Sequence, residues 1–427
     1  MTELELDRAP REELEAHQLG LLRRLLAELV PGNPFYTARL RAAGLADREL
    51  GSLEEFTASM PLLAKGELAD DQAAHPPYGT NCTYPLEAYT RLYRTSSTTG
   101  RPLYWLDTPD SWSWMTGAWV RVFQAVGVGP GDRAFVAFSF GPFLGLWLAF
   151  EAAVRMGCLT LSGAAMDSAA RLQAILDHGV TVLCCTPTYA LHLGTVAGER
   201  GPSLRDSRVR AIVVGGEAGG SIAATRARIE ELWPGATVYD HHGMTEVGPV
   251  SHACPAAPGV LHVLEDRYLC ELVDPATGAP VAPGGREPGE LVLTTLGREG
   301  SPALRYRTGD LVRAGPRGAC ACGRTTQRLE GGILARADEM VVVRGVNLFP
   351  SAVEELVRSV PGITEYRVEV DRSRPLAEVR LQIEASGAHA ARQLQEEFRR
   401  VYGLRVPVQL ARPGELPRFE LKAKRWQ

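Results

Sequence analysis

The amino-acid sequence predicts an α/β fold: a large N-terminal domain of α/β layers with a β-rich subdomain, then a small mobile α+β C-terminal domain. Three observations carry this. From about residue 133 to 240, short apolar runs alternate with amphipathic stretches, the signature of strands and helices in turn around a mainly parallel sheet. From Arg267 to Arg313, strand-like runs are separated by Gly/Pro turns instead. After about residue 338 the pattern becomes strand, helix, two alternating strands and helix. At 427 residues the chain exceeds what one hydrophobic core usually supports, and the boundary is drawn between 1–337 and 338–427.

Taken in order, the N-terminal part is helix-rich. Leu19, Leu22, Leu25, Leu26 and Leu29 recur at helical spacing before a Pro31-Gly32 stop. Ala134–Phe138, Val180–Cys185, Ala211–Val214 and Thr237–Tyr239 read as strands, several of them apolar throughout, as strands covered on both faces are. Helices are expected over Pro142–Met156, Ala169–His178 and Ser221–Leu232. Tyr268–Val273 and Glu290–Thr295 are strands of the β-rich part. The last unit should run through a strand (Met340–Arg344), a helix (Ser351–Ser359), strands Glu365–Val370 and Ala377–Glu384, and a helix (Ala388–Tyr402).

The composition, 45% hydrophobic and 22% charged, is that of an ordinary globular protein. Net charge is -4 with both signs interleaved, which excludes the basic stripe of a nucleic-acid binder. The acidic, amphipathic start is no signal peptide, and the longest apolar stretch is broken at Gly141, Pro142 and Gly145, so no membrane span and a cytoplasmic location are expected. Eight cysteines in so long a chain make no disulfide scaffold, and Cys184 and Cys185 read as core.

Five clusters carry candidate chemistry. Ser96, Ser97, Thr98, Thr99, Gly100 and Arg101 follow a strand-like Tyr89–Tyr93 and offer N–H groups, hydroxyls and a cation to a polyphosphate; a polar surface turn would look the same. The stretch from Val238 to Gly248 pairs Thr245 with Glu246, a carboxylate of the kind that holds Mg²⁺ beside phosphates, or that caps a helix. In Leu304–Leu311, Asp310 is either an acceptor for ribose hydroxyls or a turn aspartate. Ala335–Pro350 spans the proposed boundary, and Leu416–Arg425 is a basic tail. Separately, Cys254-x7-His262 and Cys320-Ala-Cys322 offer a Cys₃His set suited to a structural zinc, or else buried and free thiols.

The order and spacing of these clusters, together with TVLCCTPTYALHL (Thr181–Leu193), VVGGEAGG (Val213–Gly220), DHHGMTEVGP, RYRTGDL and VRGVNLFPSAVEE (Val343–Glu355), resemble the adenylate-forming superfamily of acyl-CoA synthetases, luciferases and peptide-synthetase adenylation domains. Within it the chain resembles the phenylacetate–CoA ligase family from near residue 10 to its end. The resemblance implies an ATP-dependent, AMP-forming acid–thiol ligase. It would adenylate a carboxylic acid, of aryl or arylacetic type, release pyrophosphate and transfer the acyl group to coenzyme A.

Carried over by position, Ser96, Thr98, Thr99, Gly100 and Arg101, with Ser97 between them, would hold the outer phosphates. Gly216, Glu217 and Ala218 would border the adenine, with His242 on its face. Asp240, His241, Gly243, Met244 and Ile333 complete the nucleotide set. Thr245 and Glu246 would hold the α-phosphate and Mg²⁺, Asp310 and Arg336 the ribose. Lys422 would be the catalytic lysine, with Lys424 the fallback. Asp338 matches the hinge, and Arg344, Gly345 and Asn347 the loop that enters for thiol transfer. Phe138, Phe140, Gly141, Phe143, Tyr189, Gly215 and Gly243 would line the acid pocket. Similar cysteines occur in the family, which favours zinc at Cys254, His262, Cys320 and Cys322; homodimers also occur there. Where the family carries glycine, lysine, tyrosine, glycine and glycine, this chain has Ser97, Arg101, His242, Ala335 and Leu421. Two other readings stay open: transfer to a carrier-protein thiol or an amine, and a non-catalytic, zinc-braced nucleotide-binding protein.

Overall fold

The computed structural model describes residues 3–95, 102–138, 141, 144–337, 339, 341–343, 346–371, 378–419 and 423–427. A five-stranded parallel sheet forms the centre, in the order Leu159–Ser162, Arg133–Val136, Val182–Cys185, Ala211–Gly215, Thr237–His241. Its apolar runs are covered on both faces, which is why they lack alternation. Ala134, Val136, Val182, Cys184, Ala211 and Val213 pack against helices Pro109–Ala125 and Leu144–Arg155. Phe135, Leu183, Cys185, Ile212 and Val214 pack on the other face, with Leu172, Leu193 and Ile229. Cys184 and Cys185 are core residues on opposite faces.

Beside it lies a six-stranded antiparallel sheet ordered Ser251–Ala253, Val260–Val263, Arg328–Arg336, Tyr306–Ala314, Gly289–Thr295, Tyr268–Val273. The N-terminal helices bury Leu22, Leu25, Leu26 and Leu29 against it. The first long helix loses helical geometry at Val30 (φ -112°, ψ 116°), just before the expected stop at Pro31-Gly32. The C-terminal unit has a core of its own. Helices Pro350–Ser359 and Ala388–Tyr402 pack on a three-stranded sheet of Ile363–Asp371, Glu378–Ala385 and Val408–Leu410, next to a hairpin of Val341–Val343 and Val346–Leu348. Among the described residues no helix is long and apolar enough to cross a membrane.

Among the differences from the sequence reading, four concern the parallel sheet and the helices around it. The first central strand stops at Val136 rather than Phe138, because Phe138 N–H turns back to the Val136 carbonyl. The edge strand Leu159–Ser162 is unanticipated, being short and partly exposed. Helices Pro109–Ala125 and Pro187–Arg200 are unanticipated as well, though each opens with a threonine cap and a proline in the first turn; the Thr108 and Thr186 hydroxyls accept from Ser111 and Tyr189 N–H.

One buried ion pair ties these layers together. Arg298 Nε and Nη2 each donate at 2.7 Å to the two oxygens of Asp107, and both side chains are wholly out of water. Removing one partner strands the other charge, so Asp107→Asn should cost about 3–5 kcal/mol. Urea unfolding followed by circular dichroism should show the midpoint drop, whereas Arg228→Gln, at an exposed pair with Glu231, should leave it unchanged.

Candidate functional site

The phosphate loop predicted from the sequence lies in the chain between strands Arg91–Arg94 and Tyr104–Asp107. Strands Arg91–Arg94 and Tyr104–Asp107 pair antiparallel, and Thr95 and Leu103 close the end through Thr95 N–H to Leu103 carbonyl (2.9 Å) and Leu103 N–H to Thr95 Oγ1 (3.0 Å). Ser96, Ser97, Thr98, Thr99, Gly100 and Arg101 lie outside the described residues. The other end of the hairpin is Asp107, and its partner Arg298 spends a third N–H on the Thr245 carbonyl at 2.7 Å. Hairpin and Thr245-Glu246 turn are thus held by one guanidinium.

Glu246 is buried, yet only one of its oxygens is engaged. Oε1 accepts from Lys65 Nζ (3.1 Å) and the Tyr306 hydroxyl (3.3 Å), while Oε2 has no donor among the described residues. A half-engaged carboxylate at a turn fits a cation that needs few protein ligands. Lys65 and Tyr306 were not singled out in the sequence.

The adjacent strands bring Asp310 opposite Arg336. Arg336 Nη1 donates to Asp310 Oδ1 at 3.0 Å and His242 Nε2 to Oδ2 at 2.9 Å. The hydrogen bonds from His242 and Arg336, together with the Arg336 charge, outweigh burial, which alone would raise the acid, and hold Asp310 below the usual carboxylate range. With its proton on Nε2, His242 keeps Nδ1 as a buried acceptor without a partner among the described residues. Gly309 is required here: φ is +74° and a Cβ would lie 2.7 Å from the Arg336 guanidinium. Ile333 sits on the same strand as Arg336, half-buried.

At the C-terminal ends of the central strands, Gly216 and Ala218 are exposed after Ala211–Gly215. Glu217 is engaged: Oε1 accepts from Thr188 N–H (2.9 Å) and Oε2 from Ala423 N–H (2.7 Å). Asp240 accepts from Ser221 Oγ at 2.5 Å. Gly243-Met244 forms a short hairpin with Gly248-Pro249, and Met244 is partly buried against the antiparallel sheet's core. His241 donates from Nδ1 to the Ser251 carbonyl (2.8 Å), with the Trp119 ring 4.3 Å away centroid to centroid.

Of the expected pocket residues, Phe138 packs on the Trp119 face of the sheet. Gly215 and Gly243 adjoin His241; a Cβ at either would meet that residue within 3.3 Å. Tyr189 is not brought to this wall. It is buried on the opposite face, hydrogen-bonded to Ser168 at 3.1 Å with Arg171 over its ring. Gly141 is half-buried, its carbonyl accepting from Trp147 Nε1; Phe140 and Phe143 lie outside the described residues.

Lys422, Asp338, Arg344 and Gly345 also lie outside them; the Asn347 backbone pairs with Val342 in the hairpin. The chain on either side of Lys422 is firmly held. Arg418 binds Glu384 at 2.6 Å, Ala423 binds Glu217, and Arg425 binds Glu365 at 2.7 Å and Thr188 Oγ1 at 3.3 Å. Lys424 is exposed.

A second centre lies on the antiparallel sheet. The ligand atoms of Cys254, His262, Cys320 and Cys322 all fall within 4.8 Å of one another. The Cys254–Cys320 sulfurs are 3.6 Å apart and Cys322 Sγ is 3.4 Å from His262 Nε2. A zinc tetrahedron with bonds of about 2.0–2.3 Å has edges of similar length. His262 Nδ1 lies 3.0 Å from Thr326 Oγ1, which leaves Nε2 for an ion, and burial pushes the imidazole down to about 4, keeping it neutral.

Residues 57–297 match the model of the AMP-binding enzymes, and residues 345–427 that of the AMP-binding enzyme C-terminal domain. The chain is 33% identical over 448 residues to a phenylacetate–coenzyme A ligase of Thermus thermophilus, spanning 98% of this chain and 97% of that one, and 31% identical to that of Escherichia coli K12, spanning 98% and 96%. It belongs to the AMP-binding enzymes, in their phenylacetate–CoA ligase family.

This AMP-binding enzyme superposes with TM-score 0.93 on a 2-hydroxyisobutyryl-CoA ligase in the postadenylation state, at 30% identity, covering 99% of this chain and 91% of that one. Against the same ligase in its thioesterification state the score is 0.75. The small domain of this chain therefore sits as in the postadenylation arrangement, in keeping with the Glu217–Ala423 contact.

The buried His241 makes a pH prediction. Burial lowers it from 6.5 to about 4, so the unfolded chain takes up a proton there that the folded one refuses, and stability present above pH 6.5 is lost as pH falls through that window. Asp240, raised by burial from 3.8 to about 6, acts in the opposite sense; its contribution is lost as pH rises through 6. His241→Asn should flatten the fall in thermal midpoint between pH 7 and 4.5. An equally steep fall in the variant would show that another group is responsible.

Proposed function

We propose that this chain is an ATP-dependent acid–CoA ligase that adenylates an aryl or arylacetic acid and then passes the acyl group to coenzyme A. The observation that carries the reading is convergence. His242, just after the last parallel strand Thr237–His241, shares Asp310 with Arg336, and Glu217, just after strand Ala211–Gly215, accepts from Ala423, so groups from both domains gather by the C-terminal ends of the parallel strands, where α/β folds bind their ligands. No cysteine or serine nucleophile is needed. The acid's carboxylate attacks the α-phosphorus, pyrophosphate leaves, and the acyl-adenylate accepts a thiol with loss of AMP. Charge builds on the non-bridging oxygens in the first step, and fixed positive groups stabilise it there.

The chain's residues divide this work. Asp310, held ionised by Arg336 and His242, takes the ribose hydroxyls. His242 offers its ring face and the vacant Nδ1 to the base. Thr245, fixed through its carbonyl, turns its hydroxyl to the α-phosphate, and Lys422 supplies the cation that approaches with the small domain. Glu246 Oε2 would hold Mg²⁺, which when bound neutralises phosphate charge. Trp119, Phe138 and the glycines Gly215 and Gly243 support a flat slot for an aromatic acid. Residues 1–337 thus form the nucleotide and acid domain, and 338–427 the domain that moves about Asp338. Cys254, His262, Cys320 and Cys322 would hold a structural zinc that braces the antiparallel sheet.

Acid-dependent pyrophosphate exchange across aryl, alkyl and 2-hydroxy acids should be greatest with an arylacetic or aryl acid, and mass analysis with coenzyme A should find the thioester. Exchange without a thioester would point to a carrier-protein or amine acceptor; no exchange with any acid would remove the enzymatic reading. Lys422→Ala should abolish exchange while leaving ATP affinity by calorimetry nearly unchanged. Metal analysis of the purified protein should find about one zinc per chain, and Cys320→Ser should lose it together with thermal stability.

A further inference from the structure

Lysine and arginine are used very unequally here. Of 46 basic residues only three are lysines: Lys65, Lys422 and Lys424. A chain that writes arginine almost everywhere retains lysine where a compact ammonium differs in effect from a planar fork. Two of the three belong to the tail that enters the active site. The third, Lys65, lies 181 positions before Glu246, yet its Nζ is 3.1 Å from Glu246 Oε1.

Helix stability does not account for it. Lys65 is the first residue of helix Lys65–Ala74, the end at which a positive charge opposes the helix dipole. Its ammonium has no other partner among the described residues, and the side chain is 44% exposed. Its position is nonetheless fixed. Leu63 N–H donates to the Arg305 carbonyl and Arg307 N–H to the Leu63 carbonyl, both at 2.9 Å, so the segment entering Lys65 is bridged to the strand on either side of Tyr306. Tyr306 supplies the second donor to Glu246 Oε1. One backbone bridge therefore places both donors on the same oxygen.

We propose that Lys65 is a positioning residue for the metal-binding carboxylate. With Tyr306 it clamps Oε1 of Glu246, so that Oε2 alone is presented to the cation accompanying ATP. Arginine would fail at this position because its fork spans both oxygens of a carboxylate and would cover Oε2. The inference rests on the reading of the chain as a Mg²⁺-ATP-dependent ligase.

The test is ATP calorimetry on the full-length protein, with Mg²⁺ and in EDTA, for the wild type, Lys65→Met and Lys65→Arg, alongside thermal unfolding of each. Both variants should keep wild-type unfolding and wild-type ATP affinity in EDTA. Both should lose the Mg²⁺-dependent gain in affinity by about tenfold or more, and the charge-conserving Lys65→Arg should not rescue it. In pyrophosphate exchange the apparent Mg²⁺ constant should rise by a similar factor, with the KM for the acid unchanged. Wild-type Mg²⁺ dependence in both variants would overturn the proposal, as would full rescue by arginine or an equal loss in EDTA. A wild-type protein whose ATP binding ignores Mg²⁺ would instead overturn the ligase reading, and the Lys65 proposal with it.

Discussion

The buried guanidinium of Arg298 is the constraint on which the site depends. Its three engaged nitrogens hold both oxygens of Asp107 and the carbonyl of Thr245, each at 2.7 Å, while its plane lies over Trp105. A charge fully removed from water is tolerable only when every strong partner is in place. The base of the hairpin formed by Arg91–Arg94 and Tyr104–Asp107 and the Thr-Glu turn, far apart in sequence, are therefore fixed to the same rigid object. Neither can drift without stranding an ion in the interior. Such pre-arrangement is what electrostatic catalysis asks of a scaffold, since the donors need not reorganise when charge appears.

Around that anchor each acidic group is held by two partners. Asp310 is shared by Arg336 and His242, Glu246 is engaged through one oxygen, and Glu217 divides its two oxygens between the large domain and the tail. The small domain repeats the device. Glu354 is held down to about 2 because Arg358 and Arg425 outweigh the effect of burial, and Arg425 in turn fixes the end of the segment that bears Lys422.

Much of this was legible in the sequence, for identifiable reasons. Helix Ala388–Tyr402 was read to its exact ends, because its polar and apolar faces contrast strongly and Gly403 stops it in left-handed geometry. Strand Tyr268–Val273 was read as it stands. The Asp310–Arg336 pairing followed from resemblance and reappears as strand register. What escaped was non-local or concealed by a stronger cue. Arg298 and Asp107 are 191 residues apart and leave no local pattern. Helix Pro187–Arg200 announced itself by Thr186-Pro187, but its residues had been taken up by a motif. Tyr189 and Phe138 were grouped in the acid pocket by resemblance, and a resemblance does not say that they pack on opposite faces of the parallel sheet.

The seam between the large and small domains is joined by polar contacts. Its described polar contacts are Glu217 with Ala423, Thr188 with Arg425, Ala224 with Glu355, and Ser351 with the Leu334 carbonyl, and the apolar core of the small domain stops short of those of the large one. An oily joint would have to open all at once, exposing its whole area to solvent. A joint stitched with hydrogen bonds can be undone stitch by stitch, water taking over each vacated partner for little net free energy. In the proposed reaction cycle, a tail joined in this way is grasped firmly enough to aim a side chain and is still surrendered within a single turnover.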